Sequence, residues 1–521
     1  MVSLVLPGNL SDAEATNLAR RVAATVTTRI RRDIPACPLS AAIGRGASYL
    51  EAYEAKERAV LVGDVLLDLP AGPDESPVSL PCTTCGARVV THPQTHAFKE
   101  DFHDLCRDCH TRLSPHAGFS SSKDLNELPE SQRKLYERML ALPGVEELDF
   151  PNDFTDLAKR GRRAVDDAPT QLALIYADGN RIGDLLHRLI EAQKSSDQTT
   201  TNQARRLVKA DIAAAIDEAS KGAIVEAVQG TFVRGELVIT PAMNEAGEPL
   251  EDWSARPPVV VHVAAGDDIF VSVPAGMGWT FLRVLSDAFT RRVHDGLTVR
   301  ATQEVGPRDG WDQAVREFVD APFTLSAGLV FHHASEPFAD VIERAEMRIA
   351  VAKKFSAGRA SSVSFLDMTA DGAEPVGDRE WLIASDPASF SLTDSADRLG
   401  LIAAVPAAHR NQLLTLLREI AKVKPADVAS RTELQAALAR RVATMGHDVL
   451  WQLVCDEGGP RHPVTSEDVE RQLQGKHAQA AQQRLRLHLD TARWWPPREG
   501  APGRPPAETA EGVASAGASH A

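Results

Sequence analysis

Apolar residues in this chain fall into short runs and helix-spaced stripes, and the alternation of the two sets the expected elements. Over residues 2–67 the pattern predicts a strand at Ser3–Leu6, a helix at Asp12–Ile30, a strand at Leu39–Ile43, a helix at Ala47–Ala55 and a strand at Ala59–Leu67. A linker rich in Pro, Gly and acid runs from Asp68 to Pro81, and Pro129–Leu142 reads as helix. Two apolar strands in the middle of the chain each run into carboxylates beside a glycine: Leu174-Ile175-Tyr176-Ala177-Asp178-Gly179-Asn180, and Val263-Ala264-Ala265-Gly266-Asp267-Asp268-Ile269-Phe270. A third strand, Phe323–Val330, precedes a helix with Phe338, Val341, Ile342, Ala345, Ile349 and Ala350 on its inner face. That helix ends in Lys353-Lys354-Phe355-Ser356-Ala357-Gly358, a basic last turn with a glycine stop. From Ser391 to Leu489 the stripes are helical, at Ala407–Lys422, Arg431–Ala443, Gly446–Cys455 and Ser466–Asp490, and predict a helical bundle. The run Pro496–Ala521 has no apolar periodicity and reads as a disordered tail.

Strand ends hold side chains rigidly, and glycine allows a sharp backbone turn next to a bound phosphate. If the first two strands are neighbours, Asp178 faces the Asp267-Asp268 pair. Carboxylates crowded in this way repel unless cations neutralise them, and Mg²⁺ prefers a few carboxylates plus substrate phosphates. The set Asp178, Asp267 and Asp268 is therefore the candidate catalytic centre, built for two Mg²⁺ or Mn²⁺ ions and nucleotidyl transfer. Each string alone also fits a plain turn or a hairpin tip.

Charge and cysteine usage narrow the setting. The 57 basic and 72 acidic residues leave a net charge of −15, which argues against a chain that wraps nucleic acid by itself. No stretch has the apolar length of a membrane span, and the first ten residues lack the features of a secretory signal, so a cytoplasmic chain is expected. Cys82-x-x-Cys85 and Cys106-x-x-Cys109, with 20 residues between the pairs, have the spacing of a four-thiolate structural Zn²⁺ site. Paired disulfides or a redox Cys-x-x-Cys are the alternatives, disfavoured in a large cytosolic chain.

The succession strand-Asp, helix, strand-Gly-Asp-Asp-strand, helix, strand-Ser-Ala-Gly, helix-Ala-Lys-Lys over residues 170–368 resembles the palm domain of GGDEF cyclases and nucleic-acid polymerases. It is most similar to the second palm of the large subunit of type III CRISPR effector complexes. The resemblance implies an α+β fold: ferredoxin-like palm domains, a zinc-binding insert and a C-terminal helical bundle. It also implies synthesis of cyclic oligonucleotides from ATP, with other effector subunits, and guide and target RNA through them, as partners. A stand-alone cyclic dinucleotide synthase, constitutively active or activated only by dimerisation, and a non-catalytic nucleotide-binding assembly subunit are the alternatives. Carried onto this chain, the nucleotide-binding positions are Gly179, Asn180, Gly266, Ser326, Lys353 and Lys354. For the two lysines a solvated helix end is the plainer alternative. Two positions depart from the family pattern: Ala265 replaces the first glycine of the Gly-Gly-Asp-Asp turn, and Asn180 stands where a second acid often lies.

The expected domains are a degenerate palm-like domain at 1–70, a zinc segment with helical linker at 71–165, the catalytic palm at 166–370, the bundle at 380–495 and the tail at 496–521. The degenerate copy rests on a faint repeat, in which Leu4-Val5-Leu6-Pro7-Gly8-Asn9 echoes Leu174–Asn180 with Pro7 in the place of Asp178. Many large subunits begin with a His-Asp nuclease domain, whereas this chain begins on a strand, so DNA cleavage is not expected. His332-His333 read either as pocket lining or as a surface loop pair.

Overall fold

The computed structural model describes residues 11–33, 39–46, 49–68, 80–83, 88–98, 101–107, 109–110, 130–142, 151, 153–160, 170–185, 202–233, 257–302, 323–371, 379–384, 391–424, 426–455, 466–474 and 478–496. They divide between two compact units. The first holds helix α1 (Asp12–Asp33), strand β1 (Leu39–Ala41), helix α2 (Tyr49–Leu61) and strand β2 (Leu66–Asp68). It also holds the hairpin of β3 (His92–Phe98) and β4 (Asp101–Leu105). β1 and β2 pair antiparallel into a two-stranded sheet. The strand expected at Ser3–Leu6, with its Pro7, lies outside the described residues.

One expectation fails in this unit. Ala59–Leu61 continue helix α2, and only Leu66–Asp68 are strand. The apolar run Val60-Leu61-Val62 misled because it is not buried: Leu61 is 85% exposed and Val62 71%. Gly63, at φ +74°, then turns the chain where a side chain would strain it.

The second unit is built on one six-stranded sheet. After helices α3 (Glu130–Leu140, its first turns counted with the first unit) and α4 (Phe154–Arg160) come β5 (Gln171–Gly179) and the long helix α5 (Asn202–Val228), whose residues up to Ile212 are likewise counted with the first unit. The hairpin β6 (Val260–Ala265) and β7 (Asp268–Pro274) follows, then helix α6 (Gly278–Thr302) and β8 (Leu325–His333). Helix α7 (Phe338–Ser356), β9 (Ser362–Asp367), the short helix α8 (Met368–Asp371) and β10 (Glu380–Leu382) complete the sheet. The strand order is β10-β9-β8-β5-β7-β6, antiparallel throughout except for β8 and β9. Its inner part, β8-β5-β7-β6, has the βαββαβ connectivity and order of a ferredoxin-like palm, with β9 and β10 added beyond β8.

Side-chain alternation sends the two faces of the sheet to different partners. On one face Leu174, Phe270, Val330 and Leu366 pack under Val341 and Ala345 of α7. Gly328 makes that approach feasible, because a Cβ there would sit 2.2 Å from the Ala345 carbonyl oxygen. On the other face Trp279 of α6 meets Phe331 and Phe365. The C-terminal helices are α9 (Ala396–Ala403), α10 (Ala407–Lys422), α11 (Val428–Met445), α12 (Asp448–Cys455), α13 (Ser466–Gln474) and α14 (Ala478–Ala492). Their buried leucines, among them Leu413, Leu417, Leu438 and Leu485, supply the apolar stripes read from the sequence. The helical stretch expected at Ser466–Asp490 holds α13 and α14.

Candidate active site

Pairing register brings the carboxylates together. Ala177 lies opposite Ile269, so Asp178 at the end of β5 falls beside Asp268 at the start of β7, while Ser326 of β8 flanks it on the other side. Asp267 sits in the two-residue loop between Ala265 and Asp268. Of that loop only Gly266 has positive φ, at 63°, which suits glycine at the first central position of a tight hairpin. Gly179 is required by proximity: an added Cβ would lie 3.0 Å from the Asp267 Cβ, from Ile182 and from Phe289. The two glycines thus let two strand ends close onto one corner.

The corner is electrostatically loaded. Burial, and then the Asp178 charge, push Asp267 up to about 6. Asp268 is raised for the same reasons in the same order, and its carboxyl group hydrogen-bonds that of Asp178. The compensating cation is Lys353, from the last turn of α7, which forms an ion pair with Asp178. Lys354 is exposed beside it. Tyr176, two residues before Asp178 on the same face, packs edge-on against Phe270 at 5.4 Å. Its hydroxyl is raised by partial burial and by Asp268, Glu346 and Asp178.

The remaining expected positions form a polar brace behind the corner. Asn180 is 4% exposed and Ser326 fully buried. The Asn180 amide Nδ2 donates to Thr324 Oγ1 at 2.8 Å, and its Oδ1 accepts from Ser326 Oγ at 2.9 Å. Thr324 Oγ1 also reaches the Gly358 carbonyl at 3.2 Å, tying the glycine stop after α7 into the network. Arg181, at φ 67°, then turns the chain into the helical turn 182–185. His332 does not join the site. It lies opposite Leu172, at the other end of β5, buried beside Phe154 and held down to about 4 by that burial.

A set of partly buried, oxygen-only donors around one corner fits a hard divalent cation. Asp178, Asp267 and Asp268 would hold it, and the elevated proton affinity of Asp267 is what a metal would relieve. In the first unit, the thiols of Cys82, Cys106 and Cys109 are buried and lie within 4.8 Å of one another. The Cys109 N–H donates to Cys106 Sγ at 3.4 Å. Cys85 lies outside the described residues. Sulfur donors so grouped suit Zn²⁺.

Sequence reading missed the support of the loop. From α5, Asp217 Oδ1 accepts from the Gly266 N–H at 3.3 Å and Ser220 Oγ donates to the Gly266 carbonyl at 2.5 Å. Lys221 Nζ holds the other Asp217 oxygen at 2.6 Å. Polar residues at i, i+3 and i+4 on a helix read as a solvated face, and nothing local reveals a contact 46 to 49 residues away.

No curated protein matches the chain. Among solved structures it is similar to a Csm1–Csm4 cassette in complex with cA4, at 18% identity over 62% of this chain and 37% of that one, with a TM-score of 0.30. It is also similar to Csm1 in T. onnurineus, at 17% identity, 66% and 40% coverage and a TM-score of 0.31. A Csm1–Csm4 cassette in complex with pppApA gives 18% identity, 64% and 37% coverage and a TM-score of 0.30. The chain thus spans 37% to 40% of the length of these structures. Residues 171–362 match the family model described as Cas10/Cmr2, second palm domain. That segment contains all three clustered carboxylates and Lys353, and the palm to which this chain is similar is therefore the second palm of the Cas10/Cmr2 family.

Proposed function

We propose that this chain is a nucleotidyl cyclase that joins ATP molecules into cyclic oligoadenylates within a type III CRISPR assembly. The observation that carries the reading is the corner of Asp178, Asp267 and Asp268 with Lys353, set in a segment matching a Cas10/Cmr2 second palm. Related structures support the choice of nucleotide, since Csm1–Csm4 cassettes were solved with one ATP, with pppApA and with cA4.

In the reaction the ribose hydroxyl oxygen of one nucleotide bonds to the α-phosphorus of the next. The bond from that phosphorus to the pyrophosphate oxygen breaks, and pyrophosphate leaves with the electron pair. Mg²⁺ or Mn²⁺ held by the three aspartates would favour the ionised hydroxyl and neutralise the phosphates. The hydroxyl proton would pass to solvent water, a loss that the bound metal would favour by lowering the hydroxyl pKa. Lys353 exchanges Asp178 for the triphosphate, and so trades one anionic partner for another without leaving a bare charge. Tyr176 and Phe270 offer an apolar wall beside the carboxylates for a base or ribose. Cys82, Cys85, Cys106 and Cys109 are proposed to hold one structural Zn²⁺ in the first unit.

The test is product formation from ATP with Mn²⁺ or Mg²⁺, with and without partner subunits carrying guide and target RNA. Cyclic oligoadenylate is expected with the assembled complex and little from the chain alone. Asp267→Asn combined with Asp268→Asn should abolish it while leaving the fold intact, a loss of at least about a thousandfold for a reaction that depends on bound metal. Undiminished synthesis by the double variant would reduce the Gly-Asp-Asp string to a hairpin turn. Robust synthesis by the chain alone, indifferent to RNA, would point instead to a stand-alone synthase.

A further inference from the structure

Helix α5 grips the Gly266 residue on both sides. The Gly266 N–H is held by Asp217, and the Gly266 carbonyl by Ser220, which is fully buried. Asp217 is itself held by Lys221, 7% exposed. These contacts matter because of what the Gly266 carbonyl belongs to. A peptide unit is planar, so fixing that oxygen fixes the plane of the Gly266–Asp267 peptide, including the Asp267 N–H. Asp267 follows directly on that plane, so fixing it fixes where the Asp267 Cα, and the side chain that leaves it, begin. A path of two links therefore runs from the Ser220 hydroxyl, through the peptide plane, to the Asp267 Cα that carries the carboxylate.

Gly266 would otherwise leave this plane loosely defined. Glycine populates both signs of φ with little penalty, so the loop can rotate at the position preceding Asp267. The helix that supplies the grip is anchored in turn. Glu226, nine residues from Asp217 along α5, pairs with Arg291 and Arg292 of α6, the latter through Nη2 at 2.5 Å. Gly222 faces the same arginine so closely that an added Cβ would lie 2.4 Å from Arg292 Nη1. α5 thus stands on α6, and α6 stands on the sheet that carries β5 and β7.

We propose that Ser220 and Asp217 are positioning residues for the metal-binding carboxylate of Asp267, acting through the Gly266–Asp267 peptide. The inference rests on the reading of the aspartate corner as a divalent metal site. It adds that metal affinity is set from α5, which contributes no ligand of its own. Groups that orient ligands in this way commonly alter metal affinity by about 10–100-fold when removed.

Mn²⁺ affinity, measured by electron paramagnetic resonance on the purified full chain without ATP, separates the possibilities. Ser220→Ala should weaken Mn²⁺ binding by about tenfold, with the melting temperature of the metal-free protein close to that of wild type. Asp217→Asn keeps a carbonyl oxygen for the Gly266 N–H but loses the charge that pairs Lys221, and a smaller loss of about threefold is expected. This second variant is at a half-exposed side chain and answers the question should Ser220→Ala fail to fold. Asp267→Asn provides the reference for loss of a ligand. Full Mn²⁺ affinity in both α5 variants, with affinity lost in Asp267→Asn, would overturn the positioning role and leave the metal site standing. Full affinity in Asp267→Asn would overturn the metal site and the positioning role together. In kinetics with ATP, the α5 variants should regain kcat at saturating Mn²⁺, whereas Asp267→Asn should not.

Discussion

Asp267 carries a proton to about pH 6 because burial and the neighbouring Asp178 both penalise its charge, and this couples the site to stability. The folded value lies above the usual 3.8, so the contribution of this group is full below 3.8 and is lost as pH rises through about 6. Asp267→Asn is neutral throughout, and the difference between variant and wild type isolates the effect from the buried histidines His262 and His332, also held down to about 4. In metal-free protein the variant should melt increasingly above wild type as pH is raised from 5 to about 7.5, and Mn²⁺ should erase the gap by stabilising wild type alone. Calorimetry at several pH values checks both arms, and a pH-independent gap would contradict them. The same corner shows what a sequence can display at this scale. Asp178, Gly266, Asp267 and Asp268 were legible because a strand ending in acid and glycine is a local pattern. The grip of Asp217 and Ser220 was not, since it exists only once α5 is folded against the hairpin.

At the scale of elements, periodicity succeeded where burial follows it. Helix α7 packs the expected Phe338, Val341, Ile342, Ala345 and Ile349 inward although Ala350 is exposed, and α10 spans the expected Ala407–Lys422, because each lays one apolar stripe on a core. It failed at Ala59–Leu61, where apolar residues lie exposed on a helix. The parallel pairing of β8 with β9 was beyond local pattern, and Gly328 shows why: its role appears only against the backbone of α7. The cysteine element needs no core of this kind. Two of its thiols come from the turn after β4 and one from the segment before β3, so a shared ion would clamp the hairpin in place of apolar packing. Purified protein should carry about one zinc per chain, as one four-ligand site requires, and Cys106→Ser should lower the melting temperature of the first unit while leaving Mn²⁺ binding at the palm unchanged. Normal thermal stability in zinc-free protein would sink this expectation.

Over the whole second unit, the sheet and the C-terminal helices share a core and should therefore unfold together. The chain leaving α14 places Trp495 at 6% exposure, 6.2 Å from Trp279, with the Arg283 guanidinium 5.7 Å over its ring. Trp494 stacks on Phe331 of β8 at 5.5 Å and donates its indole N–H to Asp367 of β9 at 2.8 Å. Arg493 pairs with the same carboxylate at 3.2 Å, and Arg379, beside β10, pairs with Asp490 of α14 at 2.8 Å. The contacts of Trp494, Arg493 and Asp490 fall on β8, on β9 and beside β10, while those of Trp495 fall on α6, which itself packs on the sheet. Loss of a buried tryptophan side chain typically costs about 3–5 kcal/mol, from lost transfer energy and the cavity left behind. For a unit of this size that amounts to a fall in melting temperature of roughly 10 °C. Trp495→Ala should produce it, and amide exchange should speed up in β5 and β8 as much as in α14, since one core serves all three. If exchange rose in α14 alone, with β5 and β8 protected as before, the helices would be an appendage to the palm and not part of its cooperative unit.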